Sequence, residues 1–179
     1  MSAGIEVRPT KFPEAKLFVP VVHRDARGSF RHTFSTSEYG PLGITDDFVE
    51  DSVSVSGANV VRGLHYDPRL AKFVQVLHGA AFDVIVDVRR ESPRFGLWEG
   101  FELSADNCVQ LYVPRGFAHG FCTLAPHVVF SYKQTAPYDP STEGQVRWND
   151  PEIGITWPLT GEPVLSVKDA AAPLLASLR

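Results

Sequence analysis

Residues 82–88 alternate so that Phe82, Val84, Val86 and Val88 share one face while Asp83, Ile85 and Asp87 share the other. A period of two is the mark of a β-strand whose faces meet different surroundings. The same period groups Lys72, Val74, Val76 and His78 over residues 72–78, and Val128, Phe130 and Tyr132 over residues 128–133. Further strands are predicted at about 17–22, 29–35, 46–55, 59–65, 97–103, 109–113 and 119–124. Gly79 marks a turn between two strands, and Pro114-Arg115-Gly116 marks another. Helical spacing is confined to residues around 168–177, with Asp169 in the first turn, and a short turn falls near Ser37-Glu38-Tyr39. Many short strands joined by tight turns predict an all-β sandwich or barrel. A double-sheet jelly roll with a short C-terminal helix is one way to close it. The space between such sheets is a natural small-molecule site.

Composition narrows the function classes. The 179 residues fit one domain, 1–179, without repeat or linker, and 44% hydrophobic with 11% aromatic residues suits an ordered core. A formal charge of -4 leaves no basic footprint for nucleic acid, so an anionic substrate needs a local cationic pocket. No apolar stretch is long enough to span a bilayer, and Met1 to Phe12 contains no signal-like apolar run; the expected location is cytoplasmic, with no membrane partner. Cys108 and Cys122 have neither a zinc-like nor a redox spacing and read as reduced thiols.

Candidate chemistry begins at Arg62-Gly63-Leu64-His65-Tyr66-Asp67, where a histidine follows an arginine at the end of a valine-rich run. An imidazole titrates near neutral pH and suits a general base. Such a base needs a carboxylate to fix its tautomer, and Asp169 is the candidate. Strict alternation sets Arg62 and His65 on opposite faces; a bulge at Gly63 would bring them together. Arg62 and Lys72 are candidate stabilisers of a developing anion, since a cation within an apolar run is costly without a partner. Tyr132 is a phenol that keeps its proton at neutral pH and can deliver it to a carbanion, and Tyr138 can position substrate. A base, its orienter, cations and an acid suit proton abstraction beside a carbonyl. A two-histidine, one-carboxylate iron triad from His65, Asp67 and His119 is a competing composition, although the His-x-His pattern of metal-binding cupins is absent.

Eight motifs in order carry a resemblance: Arg27-Gly28-Ser29-Phe30, Arg62-Gly63-Leu64-His65, Asp83 to Arg89, Ser92-Pro93, Gly116 to Phe121, Tyr132-Lys133, Trp148 to Pro151 and Ser166 to Asp169. The chain resembles the dTDP-4-dehydrorhamnose 3,5-epimerases along nearly its whole length. The resemblance implies a cupin-like jelly roll, a homodimer, no metal or other cofactor, and inversion at carbons flanking the C4 ketone of a nucleotide-diphosphate 4-keto sugar. By motif, His65 is the base with Asp169 as partner, Tyr132 the proton donor, and Lys72 and Arg62 neighbours of the enolate. Arg27, His119, Glu143 and Lys168 fall at nucleotide or diphosphate positions, Tyr138 beside the sugar, and the Phe30 segment at the partner subunit's site.

Three positions depart from the family pattern. His32 stands where the family has Glu, Glu50-Asp51-Ser52 replaces a nucleotide-contacting Gln-x-Asn, and the Gln-containing loop before Lys72 is shortened to Tyr66 through Ala71. All three touch binding rather than proton transfer. A mono-epimerase on another nucleotide sugar, a 3,4-ketoisomerase, a non-catalytic sugar-nucleotide-binding cupin and an iron oxygenase are the alternatives to a 3,5-epimerase.

Overall fold

Two antiparallel sheets face each other in a computed structural model that describes residues 4–179. The larger has the order β1 (Glu6–Arg8), β2 (Lys16–Val19), β10 (Gln110–Val113), β7 (Lys72–His78), β12 (His127–Gln134), β5 (Glu50–Gly57). The smaller runs β13 (Gly144–Gln145), β6 (Val61–Tyr66), β11 (Phe117–Thr123), β8 (Ala80–Asp87), β9 (Trp98–Ser104). A separate hairpin joins β3 (His23–Asp25) to β4 (Gly28–Phe30). This is the expected double-sheet jelly roll. Gly79 and Gly116 sit in the predicted turns with φ of 77° and 81°, where a side chain would be strained. Among the described residues, no helix is long and apolar enough to cross a membrane.

The alternation read from the sequence becomes three apolar layers. Between the sheets, Val74, Val76, Val128 and Phe130 meet Ile85, Leu103, Phe117 and Phe121. Phe121 and Phe130 stack at 4.3 Å between centroids, which ties β11 to β12 across the gap. Val84, Val86 and Val88 face the other way, with Leu64 of β6, onto Val146, Ile153 and Leu175 of the C-terminal covering segment. Because β8 is covered on both faces, its outer valines are core, and Asp83 and Ile85 are left to face the interior. On the outer face of the larger sheet, Phe18 and Phe73 pack beneath Tyr39 and Ile44.

The differences from expectation have local causes. Strand pairing at 29–35 stops at Phe30; beyond it the chain crosses the outer sheet face, where Thr33 O accepts from Gln75 and Gln110. The short turn near Ser37 is α1 (Thr36–Tyr39). The strand expected from residue 46 begins at Glu50, because Asp46 is engaged by Tyr112 and Arg115. The helix expected over 168–177 is only α2 (Val167–Ala170), followed by a separate 3₁₀ turn at Leu175–Leu178. Pro173 lacks the amide that a continuous helix would need. Strands β1, β3 and β13 are two or three residues long and carry no legible alternation. Cys108 and Cys122 are buried and unpaired with each other.

Candidate functional site

Polar side chains collect where β5 and β12 of one sheet face β6 and β11 of the other. The bulge considered at Gly63 is present: His65 pairs with His119 and Arg62 with Phe121, so β6 carries one extra residue between these pairs. Opposed residues share a face, and His119 and Phe121 lie two apart on β11. Arg62 and His65 therefore point to the same side. Gly63 and Gly120 permit the close strand contact, since a Cβ on Gly120 would lie 2.6 Å from Arg62 O.

His65 Nε2 lies 2.5 Å from Asp169 Oδ1. Asp169 reaches it from α2, whose N-cap Ser166 accepts the Asp169 amide at 3.0 Å. Burial acts to raise the Asp169 carboxyl, but the imidazole, the Ser166 hydroxyl and the Gly63 amide outweigh it and hold the acid below the usual carboxylate range. An ionised partner assigns the proton to Nε2 and leaves the Nδ1 lone pair available. Nδ1 lies 3.8 Å from Glu143 Oε1, and Glu143 is itself ion-paired with Lys168.

Across the gap, the Tyr132 ring lies 6.4 Å from that of His119, which in turn is the strand partner of His65. Thus His65 and Tyr132 line one cleft from opposite sheets. Burial pushes the Tyr132 phenol up, so it stays protonated well past neutral pH. Its hydroxyl meets Ser54 Oγ at 3.1 Å. His119 is 3% exposed and its Nε2 lies 2.9 Å from an oxygen of the fully buried Asp83. Burial raises the Asp83 carboxyl, against the opposing pull of His119 and Lys72. Lys72 shares the inner face of β7 with Val74 and Val76, and burial lowers its ammonium from the ordinary lysine value. Among the described residues it has no hydrogen-bond or ion-pair partner; Glu143, Asp83 and Asp67 act on it only at longer range. Such a cation is available to an oxyanion entering the cleft.

The remaining sequence candidates divide. Arg62 donates from Nε to Ser56 Oγ at 3.0 Å, and Ser52 pairs with Tyr132 along β5. Glu50 accepts from Gln134 at 2.7 Å. Tyr138 is exposed beside Lys168 on the rim. Arg27, Phe30 and His32 do not join the cleft of their own chain. Arg27 is paired with Asp25 on the exposed hairpin, Phe30 is 63% exposed, and His32 bonds Glu38 beyond the outer face of the larger sheet. The iron-triad composition fails on its carboxylate: Arg69 and Thr142 occupy both oxygens of Asp67, and the Arg69 hydrogen bonds carry the acid down to about 2. Among the described residues, no group of three or more His, Cys, Asp or Glu side chains is arranged to hold a metal ion.

Two cleft residues escaped the sequence reading. Asp83 is a charge on the face that an alternating apolar run turns inward. Ser54 belongs to a Ser52, Ser54, Ser56 alternation opposite Tyr132, Phe130 and Val128. Each carried a periodic signal that alternation alone could not assign to a side.

The family described as dTDP-4-dehydrorhamnose 3,5-epimerase matches residues 9–177. The dTDP-4-dehydrorhamnose 3,5-epimerase of Salmonella typhimurium is 47% identical over 170 residues, 93% of each chain. The dTDP-4-dehydrorhamnose 3-epimerase of Streptomyces niveus is 36% identical over 179 residues, covering 98% of this chain and 86% of its own. A solved dTDP-6-deoxy-D-glucose-3,5-epimerase from Legionella pneumophila, in complex with dTDP-4-keto-L-rhamnose, superposes with a TM-score of 0.93 at 44% identity, covering 97% of this chain and 96% of that one.

Proposed function

Since the chain belongs to the dTDP-4-dehydrorhamnose 3,5-epimerase family, we propose that His65 and Tyr132 exchange protons with opposite sides of a dTDP-linked 4-keto-6-deoxy sugar. The enzyme is an isomerase, and its substrate is read as dTDP-4-dehydro-6-deoxy-D-glucose, inverted at C3 and C5. The observation that carries the mechanism is the pairing of an Asp169-bound imidazole on one sheet with a buried, protonated phenol on the other.

The C4 ketone acidifies the hydrogens on both neighbouring carbons. His65 Nδ1 accepts one of them, and Asp169 stabilises the imidazolium that forms. The C–H electron pair moves onto the C4 oxygen, where the unpaired Lys72 ammonium balances it. Tyr132 then gives its proton to the same carbon from the far side, which inverts the centre. Solvent removes the proton from His65 and restores the one lost by Tyr132, so the cycle needs no redox cofactor. Around this core, Arg62, Glu50, Ser52, His119, Tyr138, Glu143 and Lys168 are assigned to the nucleotide, diphosphate and sugar.

Arg27, Phe30 and His32 are assigned to the partner subunit's site in a homodimer. Two features support this: the hairpin pairs with neither main sheet and leaves Phe30 exposed, and the outer face of edge strand β5 exposes Val53 and Val55 at 59% and 58%. An inactive His65→Asn protein mixed and refolded with an inactive Arg27→Ala/Phe30→Ala protein is expected to regain about a quarter of wild-type activity. Half of the dimers are then mixed, and each holds one intact site. Recovery absent from a mixture proven to contain mixed dimers would contradict the shared site.

Product NMR after incubation with dTDP-4-dehydro-6-deoxy-D-glucose tests the activity itself. The expected product is inverted at both C3 and C5. Inversion at C3 alone would place this chain's activity with the Streptomyces niveus relative, and an unchanged substrate would refute the proposal.

A further inference from the structure

Tyr132 must recover a proton after every inversion, and the structure gives it one polar contact through which to do so. Among the described residues, its hydroxyl has a single hydrogen-bond partner, Ser54 Oγ at 3.1 Å. Ser54 pairs with Phe130 on the neighbouring strand, two residues from Tyr132 along β12. The phenol therefore leans diagonally across the sheet face to reach it. Ser54 is half-buried on β5, the outermost strand of its sheet, so its hydroxyl joins a buried acid to the solvent side. Arg62 lies against the same strand, donating to Ser56 Oγ at 3.0 Å and to Val55 O at 3.2 Å.

We infer that Ser54 is a positioning residue for the acid step: it holds the Tyr132 hydroxyl in place and relays a proton from water to the phenolate left after inversion. This rests on the role assigned to Tyr132 above. In the relay, the Tyr132 O–H bond breaks as the new C–H bond forms. The phenolate oxygen then takes the Ser54 hydroxyl proton while Ser54 Oγ takes one from water, and the hydroxide released is neutralised by the proton that His65 returns to solvent. Burial raises the Tyr132 phenol and outweighs the opposing pull of the Arg62 guanidinium, so the phenolate retakes a proton at neutral pH once the released hydroxide is neutralised.

The relay acts after C–H cleavage, so its loss separates two observables. With Ser54→Ala in D₂O, deuterium exchange into unreacted substrate, driven by His65, is expected to continue at the wild-type rate. Inversion is expected to fall about 10–100-fold, the worth of a hydrogen bond to a charged group. Ser54→Thr keeps the hydroxyl and suits a strand, and it is expected to restore the ratio of inversion to exchange. Equal slowing of both observables, no change in either, or a Thr variant as impaired as the Ala variant would overturn the inference. A wild-type enzyme that neither exchanges nor inverts would instead overturn the epimerase reading itself.

Discussion

His65→Asn is expected to lower turnover by about 10²–10⁴-fold, with the fold retained and deuterium exchange at both C3 and C5 lost together. The size follows from what the imidazole alone supplies. Its tautomer is set by Asp169 at 2.5 Å, which leaves a ring nitrogen free to accept a proton. Asparagine can still donate an N–H toward Asp169, so the structural loss is at most one hydrogen bond to a charged group, about 1.5–3 kcal/mol. What disappears is the lone pair that accepts the proton. Exchange and inversion therefore fall by the same factor, because both begin with that transfer. A His65→Asn protein that exchanged deuterium at the wild-type rate would remove the base from the account.

Tyr132→Phe is expected to behave differently, and the contrast is the more informative result. Inversion should fall by about 10²–10⁴-fold while exchange into substrate persists, because His65 can still take a proton and return a deuteron from its own side. Binding should change little, since the phenyl ring keeps its packing against Phe130 at 4.9 Å and His119 at 6.4 Å. The lost hydroxyl leaves Ser54 without its partner, again about 1 kcal/mol. Parallel loss of exchange and inversion would mean that the phenol assists C–H cleavage rather than proton return. That outcome would require a different acid.

How much of this was legible before the structure depends on which physical signal each residue left. Lys72 and Tyr132 were readable because each sits in phase with valines or phenylalanines whose burial is demanded by composition. His65 was readable as a base, but its direction hinged on one residue of register. Alternation by itself would have sent it away from Arg62, and only the extra residue on β6 restores the pair. Asp169 is 104 positions from His65, so no local spacing could establish their contact; the shared motifs of the family supplied it. The strand at 82–88 shows the limit most clearly. Its valine face was plain, yet alternation cannot say whether that face meets the opposite sheet or a covering segment. The C-terminal segment claims the valines and leaves Asp83 in the cleft. The C-terminal helix was overextended for a simpler reason: apolar spacing continued through Pro173, which the backbone cannot follow.

The hairpin carrying Arg27 and Phe30 raises a different point. Its motif was unmistakable, but within one chain Arg27 pairs with Asp25 and Phe30 stays 63% exposed, so neither joins the cleft; the partner's site is where they are proposed to act. A contact with a second copy, as proposed above, would leave no periodic trace in either. The mixed-dimer experiment speaks to that arrangement, independently of the proton chemistry.

The central claim is that proton removal and proton return occur from two sides of the sugar, each side in contact with solvent. Running the wild-type reaction in D₂O and reading the isotope at each inverted carbon tests this most directly. One deuterium at every inverted centre is the predicted result, because the proton delivered by Tyr132 comes from solvent and not from substrate. Inverted product that keeps its original hydrogen at C3 and C5 would contradict it, since one group would then have carried the same proton from one side to the other.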